Sequence, residues 1–192
     1  MTRSASPRSC IRGKIFAVNM QENLQTVRLT RQYLGSGVVG LDLAGAEGIV
    51  PLENFHPIFD LARELSLPFT CHAGDSQGPE TVRAALDFGA KRIGHGHHIY
   101  DDPTLWLRAI RQGVTLEICP TSNIQCKTQP SYALHPAKRL LDAGLRVTIS
   151  TDNMTLAAVT LEDEYRHCVT QMGFTGEDLR TMARYALDAA FL

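Results

Sequence analysis

Short apolar runs alternate along this chain with longer amphipathic stretches, and this alternation limits the possible folds more than any other feature. The apolar runs predict six strands, at Lys14–Val18, Val38–Leu43, Phe69–His72, Arg92–His95, Thr115–Ile118 and Arg146–Ser150. Strands that alternate with helices form a parallel sheet. Such a sheet either closes into an eight-stranded barrel or stays open and doubly wound, and periodicity alone leaves both possibilities open.

The intervening stretches carry the local signals of helices. Pro79 and Pro103 stand where a first helical turn tolerates a missing N–H group, and Gly89, Gly113 and Gly144 follow stretches that need a left-handed residue. Two Thr-x-x-Asp sequences resemble capping boxes at the start of the last two helices. The helices with predicted bounds are Glu22–Leu34, His56–Leu65, Pro79–Phe88, Pro103–Arg111, Ala137–Asp142 and Leu161–Met172.

Composition predicts one globular domain that acts on a small molecule. The chain has 192 residues, of which 44% are hydrophobic, enough for one core. Residues 1–13 are rich in Ser and Arg and predict a flexible leader before a domain over 14–192. A net charge of -1 gives no reason to expect a nucleic-acid or membrane partner. Neither a membrane-spanning apolar run nor a signal-peptide core is present, so we expect a cytoplasmic protein; the oligomeric state stays open.

Cysteine usage argues against both a disulfide framework and a thiolate metal site. The five cysteines are odd in number and include no Cys-x-x-Cys pair. Reduced and mostly buried thiols are therefore expected.

Chemically reactive side chains follow five of the predicted strands at the point where each strand ends. The carboxyl ends of parallel strands meet at one edge, which is where barrel enzymes build their active sites. The five segments are Asp42-Leu43-Ala44-Gly45, His72-Ala73-Gly74-Asp75, Gly94-His95-Gly96, Cys119-Pro120-Thr121-Ser122-Asn123 and Thr151-Asp152-Asn153.

In this order and spacing, the five segments resemble those of adenosine deaminases of the zinc amidohydrolase superfamily. The resemblance runs from about Lys14 to the C-terminus and implies an α/β fold of the TIM (β/α)8 type, with six strand-helix units corresponding to the third to eighth. The absence of a Gly-x-Gly-x-x-Gly turn after the first strand also argues against a dinucleotide-binding sheet. Members of the family begin with a strand that bears two zinc-binding histidines as His-x-His, and no such pair precedes Lys14.

The resemblance implies Zn²⁺ as the cofactor, with His72 and Asp152 as metal ligands. Zinc lowers the pKa of a bound water from 15.7 to about 7, and His95 matches the histidine that orients this water and assists its deprotonation. Without the metal, His72 would be an ordinary core histidine and Asp152 a helix cap or a turn aspartate. His97 and His98 are expected to lie at the surface or to support neighbouring residues.

Two substitutions distinguish this chain from the family pattern. Asp75 stands where the family has the glutamate that protonates the purine N1, and the missing methylene withdraws the carboxyl by about 1.5 Å, which predicts a slower acid. Asn153 replaces an aspartate that contacts the purine N7, and its amide can donate at any pH.

Gly45 matches the glycine of the family whose backbone N–H contacts the purine N3. The Cys119–Asn123 segment matches a strand end without a direct chemical role, and we assign it to packing and supporting hydrogen bonds.

Two hypotheses of different classes follow. The first is zinc-dependent hydrolytic deamination of adenosine or deoxyadenosine to inosine and ammonia in purine metabolism, with a purine nucleoside as the partner and adenine or another aminopurine as an alternative substrate. The second is a catalytically silent, truncated fragment, because His72 and Asp152 are fewer than the three protein ligands of a catalytic zinc.

Overall fold

The computed structural model describes residues 19–191, whose centre is a single five-stranded parallel sheet. The strands pair in chain order, β1 with β2 through to β4 with β5. A doubly wound sheet reverses its strand order at a switch point, whereas this order is that of consecutive barrel strands. The strands are β1 (Leu41–Leu43), β2 (Phe69–Ala73), β3 (Arg92–His95), β4 (Thr115–Ile118) and β5 (Arg146–Ile149).

The helices lie where the local signals predict them. Both predicted capping boxes are formed, by Thr160 with Asp163 and by Thr175 with Asp178. The helices are α1 (Met20–Tyr33), α2 (His56–Glu64), α3 (Pro79–Phe88), α4 (Pro103–Gln112), α5 (Pro120–Gln125), α6 (Ala137–Asp142), α7 (Met154–Ala157), α8 (Leu161–Gln171) and α9 (Gly176–Ala189). Short 3-10 turns cover Leu52–Phe55, His97–Asp101 and Tyr132–Leu134.

The sequence interpretation and the structure differ mainly at the N-terminal end. The predicted leader at 1–13 and the predicted strand Lys14–Val18 lie outside the described residues. The predicted strand Val38–Leu43 begins only at Leu41, because Val38 forms an isolated bridge with Leu34 across a turn. Pairing with the β2 segment starts where the Leu41 N–H donates to the Pro68 carbonyl at 3.0 Å.

Apolar side chains from the sheet and the helices form one core. Phe59 on α2 packs against Phe69 and Phe88, with ring centroids 4.8 Å and 4.5 Å away. At the amino end of the sheet, the Arg92 guanidinium lies 4.1 Å from the centre of the Phe191 ring. Between residues 19 and 191, no helix combines the length and the apolar character needed to cross a membrane. The buried strand residues of the core are Leu41, Leu43, Phe69, Cys71, Ala73, Ile93, Leu116, Ile118, Val147 and Ile149.

Candidate active site

The carboxyl ends of β2, β3 and β5 bring three of the predicted site residues to one cavity of about 160 Å³. His72, His95 and Asp152 line it, together with Gly94, Glu117, Cys119 and Ser150. The sheet register explains the convergence, since His72 is paired with Gly94 and Ala73 with His95. A Cβ at Gly94 would lie 2.6 Å from Cδ2 of His72, so the glycine makes room for that imidazole.

His72 lies among polar groups rather than in an apolar core. Its side chain is 25% exposed, and Nε2 lies 3.8 Å from Oδ1 of Asp42, which is on β1. The ring meets the His95 ring edge-on, with centroids 5.2 Å apart. These contacts place the His72 side chain at the polar edge of the cavity rather than among apolar core residues.

His95 and Asp75 are held together by a buried amide. His95 is 4% exposed, ends β3 with φ +62°, and has its Nδ1 3.4 Å from Oδ1 of Asp75. The Asn123 side chain lies against both groups, with Nδ2 2.8 Å from Asp75 Oδ1 and 3.0 Å from His95 Nδ1. The hydroxyl of Thr128 also donates to Asp75 Oδ1, at 3.3 Å. The carboxyl group predicted to act as the acid thus has a defined position.

The loop that carries Asp75 is fixed by a residue that follows β1. Glu47 Oε2 accepts hydrogen bonds from the backbone N–H groups of Asp75, Ser76 and Gln77 at 3.0, 2.8 and 3.0 Å. Gly74 turns this loop with φ +64°, and a Cβ there would come within 2.5 Å of a Val82 methyl group. Both features tie the direction of the Asp75 side chain to the backbone.

Asp152 and Asn153 have separate functions in the turn after β5. Asp152 has φ +56°, and its Oδ2 accepts a hydrogen bond from the Ser122 hydroxyl at 2.7 Å. Asn153, not Asp152, caps α7: its Oδ1 accepts from the N–H groups of Thr155 and Leu156 at 3.1 and 3.0 Å. Because the cap uses the carbonyl oxygen, the Asn153 amide nitrogen is the part of the side chain suited to contact a ligand.

Gly45 and Asn153 do not line the cavity. Both are exposed, in the segments that follow β1 and β5. Gly45 has φ +140°, a conformation that glycine adopts readily and other residues rarely do. The structure thus brings together four of the six predicted site residues and leaves these two at the surface of the same edge.

Buried titratable groups surround the site, and two of them, His135 and Glu164, were not predicted. Burial lowers the pKa of His97 to about 2 and that of His135 to about 4, with neighbouring histidines acting in the same direction. Burial raises the pKa of Glu164 to about 7 and that of the Cys119 thiol well above its usual value. His97 is therefore a buried neutral residue, not the surface residue that was one of its two expected positions.

Two supporting residues lie in the segment that the sequence assigns to packing and supporting hydrogen bonds. The Asn123 and Ser122 side chains contact Asp75, His95 and Asp152. Glu47 and His135 had no comparable signal, since only the fold brings them to the site.

Among the described residues, the two predicted as zinc ligands reach the cavity without a third protein ligand beside them. His72 and Asp152 offer the nitrogen and oxygen donors that zinc accepts, but among residues 19–191 no group of three or more His, Cys, Asp or Glu is placed to hold a metal ion. Glu117, at the same cavity, forms an ion pair with Arg92 at 2.9 Å and accepts from the Thr70 hydroxyl at 2.9 Å. These residues alone therefore do not fit a complete catalytic zinc.

Comparison with known proteins assigns the chain to a family. The sequence model of the adenosine deaminase family matches residues 8–192. An adenosine deaminase of Haemophilus ducreyi is 41% identical over 179 residues, covering 92% of this chain and 52% of the relative. An adenine deaminase of Agrobacterium fabrum is 40% identical over 156 residues, covering 81% of this chain and 48% of the relative.

Solved structures agree with this match. An amidohydrolase from Burkholderia ambifaria with bound Zn superposes with a TM-score of 0.83 at 26% identity, over 90% of this chain and 49% of that one. Together with the sequential strand order, the superposition confirms the prediction of a partial (β/α)8 barrel. The chain spans about half the length of the relatives it matches, and it belongs to the adenosine deaminase family.

Proposed function

We propose that this chain carries the acid, the imidazole and two metal ligands of an enzyme that deaminates adenosine or deoxyadenosine by hydrolysis. The observation that carries the proposal is the convergence of His72, His95 and Asp152 on one cavity, with Asp75 hydrogen-bonded beside His95. Water adds to C6 of the purine, the C6–N bond breaks, and ammonia leaves. The products are inosine, or deoxyinosine, and ammonia.

The chain's own residues supply proton transfer and orientation. Asp75 donates the proton to N1, and His95 orients the water. The Asn153 amide nitrogen donates to N7, which its capping geometry favours, and the Gly45 N–H donates to N3. His72 and Asp152 would hold Zn²⁺, whose chemistry is to make water nucleophilic at neutral pH; further ligands must come from outside residues 19–191.

Two alternatives rest on specific observations. Adenine is an alternative substrate because a relative named adenine deaminase is 40% identical. Catalytic silence of these 192 residues by themselves is the second, because the described residues supply only two ligands at the cavity.

Zinc content and turnover, measured on the same purified chain, test the proposal. Zinc near one equivalent by elemental analysis, with loss of adenosine absorbance when zinc is added, would support deamination by this chain and would mean that the missing ligands come from outside residues 19–191. Asp75→Ala should reduce turnover by about 10² to 10⁴, the usual contribution of a general acid, with zinc content unchanged. The turnover of Asp75→Glu should exceed that of wild type if the shorter side chain of Asp75 limits the rate.

Asp87→Ala is the matched control, because the Asp87 side chain is 58% exposed and pairs with Arg108 away from the cavity. Unchanged turnover in Asp75→Ala would remove Asp75 from the mechanism. A chain with neither zinc nor turnover would instead favour the silent alternative.

A further inference from the structure

The side chain of Asn123 is completely buried, and each of its polar atoms contacts a titratable residue. Nδ2 lies against Asp75 and His95, and Oδ1 lies 3.2 Å from Nε2 of His135. The Asn123 backbone is also fixed, because its N–H donates to the Cys119 carbonyl and its carbonyl accepts from Thr128. Hydrogen bonds to the backbone and to both ends of the side-chain amide thus hold Asn123 in place.

His135 determines which way this amide points. Its Nδ1 accepts a hydrogen bond from the Ala137 N–H at 3.1 Å, so the proton of the neutral ring is on Nε2. Nε2–H must then donate to the carbonyl oxygen of Asn123, which turns the NH₂ group toward Asp75 and His95. The reversed amide would set its oxygen against the Asp75 carboxylate and its NH₂ against His135 Nε2–H, two repulsive contacts.

The amide in turn determines the tautomer of His95. One N–H of Asn123 donates to Asp75 Oδ1 and the other to His95 Nδ1, so Nδ1 is an acceptor and the neutral ring carries its proton on Nε2. Asp75 Oδ1 and His95 Nδ1, only 3.4 Å apart, are both acceptors in this arrangement. Without a donor between them, they would repel each other.

We propose that Asn123 and His135 are positioning residues for the reaction: the relay from His135 through Asn123 holds the Asp75 carboxyl in place and keeps neutral His95 in the Nε2–H form. The catalytic meaning of this relay rests on the proposed function, whereas the tautomers are a property of the fold. The relay also explains how the carboxylate of Asp75, one methylene shorter than the glutamate of the family, keeps a defined position.

Nitrogen-15 NMR of the histidines in the full 192-residue chain tests the relay without relying on turnover. At about pH 8, above the ordinary histidine pKa, we expect both His95 and His135 to show a protonated Nε2 and an unprotonated Nδ1. A wild-type His95 with its proton on Nδ1 would overturn the proposal.

Substitution of Asn123 gives the sharpest variant. Asn123→Asp replaces the donor by an acceptor of the same size, so His95 should move its proton to Nδ1, between two carboxylates. The matched control is Asn54→Asp, since Asn54 is exposed near the start of α2 and its change should leave His95 unaltered. An Asn123→Asp chain that keeps Nδ1 of His95 unprotonated would contradict the relay.

Substitutions at His135 test the first step. His135→Phe keeps a ring but removes the Nε2–H donor, and we expect His95 to become a mixture of tautomers. In an active preparation, kcat should be roughly tenfold lower, with KM within about twofold of wild type. His135→Gln retains a donor and an acceptor and should restore both readouts. Circular dichroism verifies that each variant is folded, and the exposed His56→Gln serves as the control.

The outcomes separate the two proposals. If wild type shows the expected tautomers but no deamination, the proposed function fails while the relay stands. If deamination occurs but His135→Phe retains the wild-type tautomer and kcat, the relay is refuted and the proposed function stands.

Discussion

Glu164→Gln should change how the stability of this chain depends on pH. Glu164 on α8 is fully buried, and its Oε1 accepts a hydrogen bond from the Thr121 N–H at 3.1 Å. Burial raises its pKa from 4.5 to about 7, against the opposing effect of the Thr121 hydrogen bonds. The folded state therefore binds the Glu164 proton more tightly than the unfolded state does.

The sign and size of the effect follow from this pKa difference. Stabilisation from the protonated Glu164 is fully present below about pH 4.5 and is lost as the pH rises through 7. Linkage with these two pKa values gives a loss of about 2.5 kcal/mol between pH 5 and pH 8. Glutamine keeps an acceptor for Thr121 but does not titrate, so the variant should not show this loss.

Urea denaturation followed by circular dichroism at about pH 5, 6, 7 and 8 measures the difference. The free energy of unfolding of Glu164→Gln, relative to wild type, should rise by about 2.5 kcal/mol across this range. The control is Glu162→Gln on the same helix, whose glutamate is 85% exposed and pairs with Arg166. If Glu164→Gln and wild type keep a constant difference at every pH, Glu164 does not titrate near 7 and the reasoning is wrong.

Three further changes test other contacts. Burial lowers the pKa of His97 to about 2, so between pH 6.5 and pH 5 only the unfolded state binds a proton at this imidazole. The free energy of unfolding of wild type should therefore fall by about 2 kcal/mol by pH 5, and urea titrations of His97→Phe should not show this fall. Gly94→Ala places a Cβ 2.6 Å from the His72 ring and should weaken zinc binding, measured by competition with a chromophoric chelator. Ser122→Ala removes the donor to Asp152 and should lower zinc affinity about 10- to 100-fold. If Gly94→Ala or Ser122→Ala binds zinc as tightly as wild type, the contact changed in that variant has no role in metal binding.

Local chemistry explains which elements the sequence could predict. Two helices, Pro79–Phe88 and Ala137–Asp142, have the predicted bounds, and the first begins at a proline and ends before Gly89 in the left-handed conformation. The start of β1 was predicted too early, because pairing with the neighbouring strand rather than local propensity determines it. Helices α5 and α7, which have six and four residues, were not predicted.

The same distinction applies to the site. His72, His95 and Asp152 could be predicted to converge because strand ends of a parallel sheet meet at one edge, which needs no knowledge of side-chain packing. The contributions of Asn123 and His135 depend on contacts between separate elements, such as the Asn123–Asp75 hydrogen bond across 48 positions of the chain. No local pattern specifies such a contact.

The turn from Cys119 into α5 is where stability and site geometry are coupled. Its Thr121 N–H is held by Glu164, its Ser122 hydroxyl holds Asp152, and its Asn123 amide holds Asp75 and His95. One short segment thus orients a predicted metal ligand, the predicted acid and the predicted imidazole at once. A displacement of α5 would move all three together. This segment, which the sequence assigned to packing and supporting hydrogen bonds, therefore fixes the positions of these predicted groups relative to one another.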